Sequence, residues 1–125
     1  MLALIVDDNE QNARLARDVL RAGGFRTLEA ATGTEAIELA AAELPDVILM
    51  DLRLPDMDGV DAARALAAGV AAQIPIVAMS AVRFEDGGGW ARAAGFAGHL
   101  EKPIDVRAFP SQVRRYCARA VPTPR

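Results

Sequence analysis

The chain has a single cysteine, Cys117, and a single lysine, Lys102. One thiol excludes an intrachain disulfide and any cysteine-based zinc cluster. One lysine means that chemistry needing a side-chain primary amine has one candidate. Arginine greatly outnumbers lysine, a bias that genomic base composition alone can produce. No apolar run is long enough to cross a bilayer, and Met1 to Val6 carries no basic leader; these absences point to a cytoplasmic protein without membrane insertion. Excess positive charge is missing too. A net charge of −3 argues against direct nucleic-acid binding, which needs a basic surface. Gly-x-x-x-x-Gly-Lys is absent, as is Gly-x-Gly-x-x-Gly after a strand, so Gly87-Gly88-Gly89 is not a phosphate-binding loop. There is no linker, internal repeat or low-complexity block. What remains, 125 residues with 52% hydrophobic and 25% charged content, is a single domain able to bury a core.

The pattern along the chain alternates strand and helix. Leu2 to Val6 is an apolar run ending at Asp7-Asp8, and Glu10 to Ala22 has apolar residues at helical spacing before Gly23-Gly24. Phe25 to Ala30 reads as a second strand. Thr32 and Glu35 have capping-box spacing at the head of a helix that Pro45 ends. Asp46 to Met50 is the third strand, and Asp58 and Asp61 suit the first turn of a helix through Leu66. Ile74 to Met79 is the fourth strand, Trp90 to Ala94 a helical fragment, and Phe96 to Leu100 a short fifth strand. Proline inside a helix costs about 3 kcal/mol but is favoured at the first position, so the last helix is placed from Pro110 to Ala118, after a turn at Asp105 to Phe109. Residues 1–120 form the domain and 121–125 a disordered tail. Five βα repeats imply a parallel sheet covered on both faces with right-handed crossovers.

In such a fold the residues just after the strands meet at one edge, where ligands bind. Those positions hold Asp7, Asp8, Asp51, Ser80 and Lys102. Each has a plain alternative: Asp7 and Asp8 as first-turn helix residues, Asp51 as a strand end or turn cap, Ser80 as a cap, Lys102 as a solvated lysine. Together they say more. Packed carboxylates repel and resist ionising together; a divalent cation relieves this, and Mg²⁺ takes one or two carboxylates, waters and a phosphate oxygen. Metal, carboxylate nucleophile, hydroxyl and lysine suit phosphoryl transfer through an aspartyl phosphate.

Asp7-Asp8-Asn9, Met50-Asp51-Leu52, Leu54-Pro55-Asp56-Met57-Asp58-Gly59, Met79-Ser80-Ala81 and Glu101-Lys102-Pro103 together resemble the receiver domain of two-component response regulators. The resemblance spans nearly the whole chain in order. It implies a flavodoxin-like, doubly wound (βα)5 α/β fold with strand order 2-1-3-4-5, in a single-domain response regulator or a receiver cut from a longer protein. It implies Asp51 as phosphoacceptor, taking its phosphoryl group from a phosphohistidine on a sensor histidine kinase or a histidine phosphotransfer protein. It assigns Mg²⁺ (or Mn²⁺) to Asp8 and Asp51, to Asp7 through water, and to the backbone carbonyl of Arg53. Lys102 would pair with a phosphoryl oxygen, Ser80 would move to bond another, and the Lys102-Pro103 peptide is expected to be cis. A downstream protein would read the face of the fourth helix, fifth strand and fifth helix. The chain would be no enzyme beyond its own phosphoryl transfer and slow autodephosphorylation.

Some positions depart from the family's habit. His99 occupies the switch position, where Tyr or Phe is more usual; either its ring follows Ser80 inward, or it is a partly exposed residue at a strand end. By the resemblance, Arg53 and Val82 flank the route of the hydrolytic water and would set in part how long the phosphate lasts. Three glycines, each costing about 1 kcal/mol against alanine in a helix, place the start of the fourth helix near Gly89 or Trp90, behind a mobile loop. Trp90 is a packing residue by this reading, and Cys117 structural or incidental. Two other functions compete: a binding module of the same fold not controlled by phosphorylation, and a phosphatase of the haloacid-dehalogenase type. The second would need an Asp two residues after Asp51, where Arg53 stands.

Overall fold

The computed structural model describes residues 1–69, 73–80, 91 and 93–120, those of 118–120 without side chains. The elements are β1 (Leu2–Val6), α1 (Glu10–Ala22), β2 (Arg26–Ala30), α2 (Gly33–Glu43), β3 (Val47–Asp51), α3 (Gly59–Ala67), β4 (Ile76–Ser80), β5 (Gly98–Glu101) and a C-terminal helix (Phe109–Ala120). The strands form one sheet in the order β2-β1-β3-β4-β5, every neighbouring pair parallel. This is the expected doubly wound α/β arrangement.

The three inner strands are apolar up to the polar residues Asp51 and Ser80 that end β3 and β4, because successive residues enter opposite cores. In β3, Ile48 and Met50 pack with Ala36 and Ala40 of α2 and Ala62, Ala63 and Leu66 of α3. Val47 and Leu49 pack with Ala16, Val19 and Leu20 of α1 and Phe109, Val113 and Cys117 of the C-terminal helix. β1 and β4 divide their side chains the same way. Small alanines on the helices let them lie close to the sheet, while the branched strand residues fill the volume. No helix among the described residues is long and apolar enough to cross a membrane.

Several boundaries move from their sequence-based positions, each for a backbone reason. Phe25 is buried but precedes the ladder: Gly24 turns with φ +95° and the Phe25 N–H donates to Leu20 O at 2.9 Å, so β2 starts at Arg26. Asp46 is the tie before β3, its Oδ2 accepting from the Leu2 N–H at 2.7 Å. β4 begins after Pro75, which has no N–H to give the ladder, and runs on to Ser80. Phe96 belongs to the preceding turn through its N–H to Ala91 O (2.9 Å), and β5 spans Gly98–Glu101. The C-terminal helix starts at Phe109, one residue earlier than expected. Pro110 then sits in the first turn, where its missing N–H has no helical partner to lose. Thr32 caps α2 by accepting from the Glu35 N–H (3.0 Å), whereas the Glu35 carboxylate returns to the Ala31 N–H (2.8 Å) and not to that of Thr32. The expectations for residues 83–90, Val82 and the tail 121–125 lie outside the described residues.

Candidate functional site

The carboxyl edge of the sheet gathers the five residues named above. Asp7 and Asp8 leave β1, Asp51 ends β3, Ser80 ends β4, and Lys102 follows β5. All five, with Arg53, line one open cleft of about 660 Å³. Asn12 lines it as well, one turn into α1. Its position three residues after the N-cap Asn9 is the only sequence signal that could have found it.

One oxygen from each of Asp7, Asp8 and Asp51 can be chosen so that all three lie within 4.8 Å of one another. Lys102 Nζ stands 2.9 Å from Asp7 Oδ2 and 3.5 Å from Asp51 Oδ2. The other Asp7 oxygen accepts from the Asn9 N–H at 2.9 Å. Asn9 in turn caps α1, its side chain accepting from the Asn12 N–H at 3.0 Å. Asp7 is therefore engaged at both oxygens and 8% exposed, while Asp8 faces solvent. The Arg53 N–H donates to Asp51 Oδ1 at 3.2 Å. Burial is the largest influence on Asp51 and pushes its carboxyl above the ordinary range; the Arg53 N–H and the Lys102 ammonium pull it down, and neighbouring Asp7 pushes it up. The Lys102-Pro103 peptide is cis, as expected.

The loop between β3 and α3 is folded tightly against the site. Arg53 and Asp58 form an isolated antiparallel bridge, closed by the Gly59 N–H donating to Leu52 O at 2.9 Å. Gly59 is required here: a Cβ would collide with the Asp51 carbonyl oxygen and come within 2.8 Å of Leu52 Cα. At the loop tip, Asp56 accepts from the Gly33 and Thr34 N–H groups at the head of α2. Asp58 is the N-cap of α3 but makes no side-chain capping bond.

His99 is not in the cleft. It lies in β5 beside Ala78 of β4, with Glu101 beside Ser80. Ala78 and Ser80 point to one side of the sheet, so His99 and Ser80 share a face on adjacent strands. His99 lines a separate pocket with Glu101, Asp105 and Gln112 at the C-terminal helix.

Three oxygen donors around one point, with a single ammonium group between two of them, suit a hard divalent cation such as Mg²⁺. A parallel sheet of this order with an acidic cluster and a lysine at its carboxyl edge defines a receiver-like, doubly wound α/β domain. The chain belongs to the response regulator receiver domain family, which it matches over residues 3–114. It is 34% identical over 114 residues to the polar-differentiation response regulator DivK of Brucella ovis, covering 90% of this chain and 93% of that protein. Among solved structures it resembles the receiver domain of the sensor histidine kinase PA1611 of Pseudomonas aeruginosa PAO1, with TM-score 0.83, 30% identity and 94% and 97% of the two chains covered. That neighbour holds a magnesium ion in its active-site cleft. It also resembles the chemotaxis response regulator CheY4 of Vibrio cholerae (TM-score 0.84, 25% identity, 92% and 97% covered). Receiver domains are in general signalling modules that interact with histidine kinases and downstream effectors.

Proposed function

We propose that the protein is a phosphorylation-controlled interaction switch whose phosphoacceptor is Asp51. The observation that carries this reading is the placement of the Asp51 carboxylate at the end of β3, beside two further carboxylates and 3.5 Å from the only lysine. An oxygen of Asp51 attacks the phosphorus of a phosphohistidine on a sensor kinase or a phosphotransfer protein. The P–N bond breaks, the imidazole leaves, and an acyl phosphate forms. Asp8, Asp51, the Arg53 carbonyl and, through water, Asp7 would hold Mg²⁺ or Mn²⁺, which would supply charge neutralisation. The chain's own contribution is to position: Lys102 turns from Asp7 and Asp51 to a phosphoryl oxygen, and Ser80 reaches another. Attack of water at phosphorus returns Asp51 to the carboxylate, with exposed Arg53 at the cleft as tuner of that rate; equal decay in Arg53→Ala and wild type would remove it from this role.

The shared face of Ser80 and His99 supports transmission through β5 to the surface beside the C-terminal helix, where a downstream protein binds. The two-state logic is ordinary: the phosphoryl group contacts one arrangement of Ser80 better than the other and shifts the population. His99→Ala should weaken partner binding by the phosphorylated form. The whole reading is tested by incubating the chain with Mg²⁺ and acetyl phosphate or a beryllofluoride mimic and weighing the product. An adduct in wild type that is lost in Asp51→Asn supports it. A wild type that takes no adduct yet keeps its partner supports the alternative, a receiver-fold binding module independent of phosphorylation.

A further inference from the structure

The first three backbone N–H groups of a helix have no helical acceptor, and α2 satisfies its own in an unusual way. Thr32 takes the third, that of Glu35. The first two are taken from outside the helix by Asp56: Oδ1 accepts from the Gly33 N–H at 2.8 Å, and Oδ2 from the Thr34 N–H at 3.0 Å and the Thr34 hydroxyl at 2.8 Å. These bonds hold the Asp56 carboxyl below the usual carboxylate range. Beside them, the Met57 side chain fills the space where a Cβ of Gly33 would be, its sulfur 2.6 Å from that point. Asp56 and Met57 form the tip of the loop whose other end carries Asp51 and Arg53.

The loop has two closures. Near its base, Gly59 N–H to Leu52 O and the Arg53–Asp58 bridge hold the strands of the loop together. At its tip, the hydrogen bonds from α2 to Asp56 hold it, beside the packing of Leu54 and Met57 against the core. A half-exposed loop without a polar tie at its tip keeps backbone freedom that the tie removes. An anchor at the tip therefore restricts Arg53, which bonds Asp51 directly.

We propose that Asp56 is a positioning residue for the acceptor site. By fastening the 52–58 loop to the first turn of α2, it fixes the Arg53 carbonyl and the Asp51 carboxylate in their metal-binding placement, and it makes the head of α2 a second point from which that site is tuned. The metal-binding part rests on the reading of the preceding subsection. The fastening itself does not.

The test uses the full chain as wild type, Asp56→Ala, Asp56→Asn and Thr34→Ala. Mg²⁺ affinity is measured by calorimetry on chelator-stripped protein, and amide exchange is followed at Gly59, with Leu49 as an internal reference. Asp56→Ala should weaken Mg²⁺ binding by about three- to tenfold, the range of one hydrogen bond's net contribution, and speed exchange at Gly59 relative to Leu49. Thr34→Ala, which removes one of three bonds from outside the loop, should do both to a smaller degree, so the proposal stays open to refutation if Asp56→Ala folds poorly. Asp56→Asn, retaining one acceptor oxygen, should fall between wild type and alanine. Mg²⁺ affinity equal to wild type in Asp56→Ala, with faster exchange at Gly33 and Thr34 alone, overturns the proposal and leaves Asp56 a helix cap. If the wild type itself binds no Mg²⁺, the phosphoryl-transfer reading fails, and unchanged Gly59 exchange in Asp56→Ala then overturns the fastening on its own.

Discussion

Replacing the proposed phosphoacceptor should stabilise the metal-free protein. In Asp51→Asn the loop bond survives, because an amide oxygen can still accept from the Arg53 N–H now 3.2 Å from Asp51 Oδ1. Only the charge is removed. Asp7, no more than 4.8 Å away, repels that charge by at least about 3.5 kcal/mol at an effective dielectric of about 20. Lys102 at 3.5 Å attracts it by about 4.7 kcal/mol on the same footing. Asp8 is exposed and adds about 1 kcal/mol of repulsion, screened by water. The pairs nearly cancel, so burial decides, in keeping with its place as the largest influence on the raised Asp51 carboxyl. Relief of a poorly compensated buried polar group is worth about 1–2 kcal/mol. For 125 residues, with an unfolding entropy of about 0.26 kcal/mol/K, that is a rise in Tm of about 4–8 °C. The sign against pH follows from linkage. A folded-state pKa above the unfolded one means that the Asp51 contribution is present below the unfolded carboxylate range and lost as pH rises through the folded value. The advantage of Asp51→Asn should therefore be full at neutral pH and shrink as pH falls toward the unfolded carboxylate range. Thermal melts of both proteins in chelator across that range measure it, and adding Mg²⁺ should raise the wild type more than the variant. A variant no more stable than wild type at pH 7 in chelator would refute the reasoning.

Lys102→Met leaves Asp7, whose side chain is 7% exposed, without its ammonium partner 2.9 Å away; a loss of about 1–3 kcal/mol is expected, partly restored by Mg²⁺, as urea titrations with and without the ion would show. Gly59→Ala places a methyl group against Asp51 and Leu52 backbone that has nowhere to go, so a loss above about 2 kcal/mol and poor adduct formation are expected; near-wild-type melting would contradict the crowding. Phe109→Ala empties a fully buried site between sheet and C-terminal helix and should cost about 3–5 kcal/mol, read from the denaturation midpoint, with Asp51 still able to take a phosphoryl mimic in the folded fraction.

Most of the fold was legible because each inner strand feeds two cores. Runs such as Val47-Ile48-Leu49-Met50 leave no polar position, and three of the five site residues, Asp7, Asp51 and Ser80, directly adjoin or end such runs. The edge strands were less clear. Phe25 and Phe96 are β-formers buried just outside their strands, held there by local bonds to Leu20 and Ala91 that hydrophobicity does not signal. The cap from Asp56 to α2 was invisible for a different reason: its partners are 22 and 23 residues away and follow no period. Lys102 was expected to meet a phosphoryl oxygen; without one it rests on Asp7 and Asp51, a partnership that depends on how two loops happen to meet.

The ion pair between Lys102 and Asp7 joins residues 95 positions apart. One partner follows β1 and the other follows β5. A chain that stops before β5 holds all three carboxylates but lacks the lysine set between two of them. The Lys102–Asp7 pair thus forms only once β5 has joined the sheet beside β4, and its presence marks a closed sheet edge.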